Sequence, residues 1–124
     1  MAISTVDISS PSGLKKYRNT DLAEVIAGVD GTSGTLHSAV IDNTQNAAAA
    51  SYLKLWNVAS GSVTVGTTAP DLVIMVPAAT KLTLVFHDGL VYGTALSAAC
   101  VTTAGTAGVT GPTSDVTVEL IFET

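Results

Sequence analysis

Charge is what this chain lacks most. Charged residues make up 12% of its 124 positions, about half the share usual in a soluble domain. A surface so poor in charge, and rich in Thr, Ser and Ala, suits contact with other protein better than free life at high concentration. The few charges lean acidic, with a net charge of −5. Phosphates would be repelled, which argues against nucleic acid as a partner of the domain body. Cysteine is nearly absent as well. A single Cys100 excludes an internal disulfide and any multi-cysteine zinc site. It follows Ala98 and Ala99 with no basic residue close by, so it reads as a small core residue and not as a reactive thiol. Long apolar runs are missing. None approaches the roughly 20 residues of a membrane helix, and residues 1–20 lack the apolar segment of a secretory signal. The expectation is a soluble chain that is made in a cytoplasm and stays or assembles there.

Catalytic motifs are missing too. There is no G-x-S-x-G elbow; the nearest string, Gly31-Thr32-Ser33-Gly34, is a loop between strands. No phosphate-binding or dinucleotide fingerprint occurs. Asp7, Asp21, Asp30, Asp42, Asp71, Asp88 and Asp115 sit mostly at element boundaries, where carboxylates build turns. They are spread too singly for paired-acid chemistry, and a Ca2+ site would need the fold to gather them. His37 and His87 have no metal-ligand spacing and read as structural. The expectation is a protein that is not an enzyme and has no cofactor and no metal.

What the chain does have is a period of two. Strands are expected at about Leu22–Val29, Thr35–Asp42, Ser51–Val58, Ser62–Val65, Leu72–Val76, Lys81–His87, Val91–Thr102 and Val116–Phe122. Asp88-Gly89 is the strongest short hairpin signal. Thr44 could cap a helical turn through Ala47–Ala50, but the alternation from Tyr52 to Trp56 favours a strand directly after it. Val116, Val118, Leu120 and Phe122 point one way; Thr117, Glu119, Ile121 and Glu123 point the other. Short strands at about 10-residue spacing imply an all-β fold: an antiparallel two-sheet β-sandwich, jelly-roll-like, of about eight strands. Residues 1–20 read as an extended N-terminal arm, polar and interrupted by Ser9-Ser10-Pro11-Ser12-Gly13. Residues 21–124 form the sandwich domain.

Two clusters are candidates for binding a partner. Three of the five basic residues fall in Lys15-Lys16-Tyr17-Arg18, which could meet an acidic surface or remain a solvated tail. Tyr52, Lys54 and Trp56 share one face of a strand whose other face carries Leu53 and Leu55. If the leucines face the core, the aromatics lie on an outer surface, either as an interface or as a cover for the end of the core.

The strings Leu36–Thr44, Ser51–Asn57, Val65–Pro70 and Asp88–Ser97, with the closing strand Val116–Phe122, together resemble small structural proteins of tailed bacteriophage particles. The resemblance spans about residues 34–123 and is one of turns and strands. It implies a β-sandwich virion protein of the capsid decoration (cement) type, on the capsid surface and assembled in the host cytoplasm. It also implies the major capsid protein as partner and a homo-oligomer, with a trimer favoured. Neither nucleic acid nor membrane is expected to bind. The other reading is a head-fibre or tail module that binds a host receptor or glycan, with Tyr52 and Trp56 as a sugar platform. The resemblance brings no catalytic residue, and the basic cluster lies outside it.

Overall fold

The computed structural model describes residues 3–7 and 13–124. It contains nine strands: β1 (Ile3–Asp7), β2 (Leu14–Asn19), β3 (Ala27–Asp30), β4 (Gly34–Asp42), β5 (Ser51–Trp56), β6 (Leu72–Val76), β7 (Lys81–Tyr92), β8 (Leu96–Val101) and β9 (Thr117–Glu123). Among the described residues the only helix is one 3-10 turn, Ser60–Ser62.

The strands form two antiparallel sheets, in the orders β1-β2-β9-β4-β7 and β3-β8-β5-β6. The pairing has a simple rule. β2 pairs with β9, β3 with β8, β4 with β7 and β5 with β6. The first four of these strands therefore run out, and the last four return beside them in reverse. Successive pairs fall in alternate sheets. This is the jelly-roll topology, with β1 added as an extra strand beyond β2.

The period of two builds the core. Leu36, Ala39 and Ile41 of β4, with Val118, Leu120 and Phe122 of β9, meet Leu53, Leu55, Ala98 and Cys100 of the facing sheet, all buried. Each large side chain contributes about 1.5–3 kcal/mol on burial. Cys100 is fully buried. Burial pushes its thiol up to about 12, against weaker opposing hydrogen bonds from Ser51 and the Tyr52 backbone. It is therefore an inert core residue, as its neighbours suggested.

At one end Asn43, fully buried, holds three connections together. Its amide reaches the carbonyls of Ala49 (3.1 Å), Val76 (3.3 Å) and Pro77 (3.0 Å), and its oxygen accepts from Asn46 (2.9 Å) and Ser51 (2.7 Å). Asn46 in turn bonds the Ser114 backbone in both directions. The turn expected at Asn43–Asn46 is present, but it reaches well beyond its own backbone, and residues 47–50 form no helix. At the other end Asp30 joins the sheets. Its carboxylate accepts from Tyr92 Oη (2.8 Å), from Thr124 and from Thr32.

Four expectations change. First, Leu14–Asn19 is extended as expected but belongs to the sandwich. As β2 it lies between β1 and β9, with Tyr17 fully buried. The boundary at residue 20 therefore does not separate an arm from a domain. The Ser9–Ser12 part of the expected arm lies outside the described residues. Second, Ser62–Val65 is no strand; Ser62 ends the 3-10 turn and Val63 to Val65 follow it. Third, the strand expected from Leu22 begins only at Ala27, and the one expected over Val91–Thr102 begins only at Leu96, since Val91 and Tyr92 end β7 in the other sheet. Fourth, Asp88-Gly89 makes no hairpin. β7 runs through it for 12 residues. Ser38 pairs with Val85 and Leu36 with Leu90, so Phe86 to Gly89 stand opposite the single residue His37. Gly89 has φ +77, and a β-carbon there would collide with the Thr35 side chain. The local signal was real: a residue with positive φ was needed. It serves a bulge here instead of a reversal.

Candidate functional site

The two sheets differ on their outward sides. In the β3-β8-β5-β6 sheet, β5 and β8 are buried on both faces. Leu53 and Leu55 point into the sandwich; Lys54 and Trp56 point outward, yet each is only 1% exposed. Residues 57–71 and 102–116 fold over them. Trp56 Nε1 donates to the Thr68 carbonyl (3.0 Å), Lys54 Nζ to the Gly105 carbonyl (2.5 Å) and Ser97 Oγ to the Val58 carbonyl (2.8 Å). Trp56, Val63 and Ala99 form a small second core, with Ile26, Val58 and Val65 packed against it. A β-carbon at Gly66 would meet Val109, so the two covering loops touch. Burial away from water lowers the Lys54 ammonium below its ordinary value, as expected for a cation in a poorly solvated place.

This corrects the expectation for Lys54 and Trp56. They share a face with half-buried Tyr52, as the alternation required, but the chain's own loops cover Lys54 and Trp56, while Val73 and Met75 of the neighbouring β6 stay exposed on that face. The small residues Ala98, Ala99 and Ser97 of β8 admit those loops and the facing sheet.

The outward face of the other sheet stays open. Register places its residues in rows. Arg18, Glu119, Val40 and Thr83 form one; Lys16, Ile121, Ser38 and Val85 form the next. Val40 and Ile121 are partly exposed, and Val85 is 76% exposed. Val40 and Ile121 thus sit in the middle of a polar field, with Val85 at its β7 edge. Lys16 Nζ lies 2.7 Å and Arg18 Nε 3.5 Å from Glu119 carboxylate oxygens. The bonded Lys16 ammonium holds the Glu119 carboxyl below its ordinary value. Asp42 stands opposite Lys81 across β4 and β7. The charges are mixed in sign and low in density.

The basic cluster is therefore divided by the pleat. Lys16 and Arg18 lie on the open face, Tyr17 is in the core with its hydroxyl accepting from Asn19 (3.1 Å), and half-buried Lys15 stands opposite Phe122. The Tyr17 hydroxyl is raised by burial, against the Asn19 hydrogen bond. Sequence reasoning missed Val40, Ile121 and Val85. One signal was available: Ile121 is the apolar residue on the otherwise polar side of the β9 alternation.

Neither chemistry nor a metal cage stands out among the described residues. No group of three or more His, Cys, Asp or Glu could hold a metal ion there. His37 occupies the bulge, with Nε2 buried, without a hydrogen bond, and 3.7 Å from Glu123 Oε1. His87 is exposed. An apolar cleft of about 220 Å³ lies between the sheets, lined by Leu55, Leu72, Leu90, Tyr92 and Leu96, with Asn57 and Asp71. Its polar groups already serve the backbone: Asn57 Oδ1 accepts from Thr94 N (2.8 Å), and Asp71 Oδ2 accepts from Asn57 N (2.6 Å). No described helix is long and apolar enough to cross a membrane.

No family model matches the chain, and no curated protein matches it. The functional reading therefore rests on the geometry and on the resemblance of the strand and turn strings. What the arrangement can do is present an open sheet face to another protein.

Proposed function

We propose that this chain is a phage virion structural protein: a decoration protein that binds the outside of the assembled capsid shell and stabilises it. The observation that carries the reading is the open β2-β9-β4-β7 face on a rigid jelly roll. Its rows of Val40, Ile121 and Val85 are set among Lys16, Arg18 and Glu119. Fold alone would not carry it, since jelly rolls serve many functions. An apolar centre with a polar rim is the anatomy of a protein interface. The scarcity of charge over the whole chain supports the same reading.

The mechanism is linkage. A protein that binds the assembled shell and not its separate subunits stabilises the shell by mass action, about 2.7 kcal/mol per site at a hundredfold excess over Kd. Copies held in a small symmetric oligomer engage several subunits of the major capsid protein at once, and the effective affinity rises accordingly. The glycan-binding alternative draws no support here, because the ring it would use on Trp56 is buried.

The test is to titrate the purified chain onto shells that lack it and to follow the temperature of shell disruption. A rise that saturates at a fixed ratio of chain to capsid protein, with label over the whole head, is expected. Absence of binding to shells, or label confined to a few copies at a tail or fibre tip, would overturn the reading.

A further inference from the structure

Among the described residues β7 is the longest strand and ends its sheet with one side unpaired. Edge strands are usually blunted by proline, by inward charge or by shortness. Lys81–His87 has none of these; its protection is confined to its ends, Lys81 at one and the Phe86–Gly89 bulge at the other. Its side chains alternate outward and inward without a break over seven residues, and Leu84 lies at the centre. The inward members Leu82, Leu84 and Phe86, with Leu72 of the neighbouring edge β6, pack on the core but remain only partly buried. They are core residues with no strand beyond them to finish their cover.

The geometry points to a second copy of this chain as the missing neighbour, joined edge to edge through β7 about a two-fold axis at Leu84. The segment is complementary to itself in that register. On the inner face Leu84 meets Leu84 of the second copy, and Leu82 meets Phe86 in both directions. On the outer face Thr83 meets Val85, and Lys81 meets His87 with Asp88 beside it. Shifting the axis by one residue toward the C-terminus puts Leu82 against Asp88. Shifting it by one toward the N-terminus puts Lys81 against Val85. Only the Leu84 axis pairs Leu82, Leu84 and Phe86 wholly among themselves, and it brings the exposed Lys81 near the exposed Asp88. The Phe86–Gly89 bulge takes in the last two residues of the segment and limits the pairing to it. The two five-stranded sheets then join into one of ten strands, which doubles the open face.

This inference goes beyond shell binding and does not depend on it. It differs from the trimer that the resemblance implies. The test uses the whole chain. The wild type should sediment at twice the 12.5 kDa chain mass. Leu84→Cys should form an intermolecular disulfide under mild oxidation, because residues facing across an antiparallel pair have Cα atoms about 4.5–5.5 Å apart, within disulfide reach. Buried Cys100 does not compete. Val91→Cys, at a more exposed position off the axis, should still crosslink far more slowly. Asp88→Lys, a surface change that leaves the core untouched, should weaken the dimer about tenfold, as two exposed charge pairs become repulsive. A wild-type monomer or trimer would overturn the inference. So would a dimer in which Leu84→Cys and Val91→Cys crosslink at equal rates.

Discussion

β5 of one sheet and β9 of the other have much in common. Both are short central strands, and both send alternate apolar residues into the shared core. They differ in what stands on the reverse side. Behind β5, Lys54 and Trp56 lie beneath the loops of residues 57–71 and 102–116. Behind β9, Glu119 and Ile121 stand half-exposed beside Lys16, Arg18 and Val40. Over β5 the reverse side is closed by the chain's own connections, although Val73 and Met75 of β6 stay exposed beside it; behind β9 there is only solvent or a partner to meet. A side chain's orientation on a strand therefore says little about its availability. The lengths and paths of the loops decide that, and here they leave the β2-β9-β4-β7 face open.

The largest break comes from the core that both sheets share. Leu120→Asp places an unpaired charge between them, and the chain should lose its fold, at a cost above about 4 kcal/mol. Circular dichroism and a urea titration would read this, and a normally melting mutant would mean that β9 faces the other way.

A matched pair of substitutions sharpens the contrast itself. Trp56→Ala, beneath the loops, should cost about 3–5 kcal/mol in urea unfolding. Ile121→Ser, on the open face, should cost within about 1 kcal/mol while weakening attachment to shells. Equal costs would erase the distinction between the faces.

The joint between the sheets can be loosened by acid. Burial raises the Asp30 carboxyl, but hydrogen bonds from Thr124, Tyr92 and Thr32 outweigh it and hold the group below its ordinary value of 3.8. A carboxylate depressed on folding stabilises the fold at higher pH. That stability should be lost as pH falls below about 4 and through the folded value. Asp30→Asn should flatten the acid limb of a stability-against-pH curve, and an unchanged limb would show that this joint contributes nothing. Smallest of all, Glu119→Gln removes an exposed ion pair and should cost less than about 1 kcal/mol, vanishing in high salt.

Much of this architecture was legible from alternation alone. Leu72–Val76 is a strand over the same residues that the sequence suggests, and the two faces of β9 are as its pattern requires. Alternation is a local property, and these strands obey it. What escaped was non-local. Asp88-Gly89 carries a turn signal, but the partner that decides between turn and bulge is His37, some fifty residues away. Lys15-Lys16-Tyr17-Arg18 looks like a solvated tail until β9 arrives to pair with it. Trp56 looks like a binding aromatic until the Thr68 carbonyl covers its indole nitrogen. In each case the deciding atom belongs to a distant part of the chain.

Side-chain labelling by hydroxyl radicals, read by mass spectrometry on the free and the shell-bound protein, tests the account most directly. In the free protein Trp56 should stay unlabelled despite its high intrinsic reactivity, while Val85, Val25 and Val109, which are 76%, 64% and 53% exposed, react. On the shell, labelling of Val40, Ile121 and Val85 should fall, while Val25 and Val109 on the covering side stay reactive. A labelled Trp56 in the free protein, or protection of Val25 and Val109 with Val40 and Ile121 left open, would contradict the account.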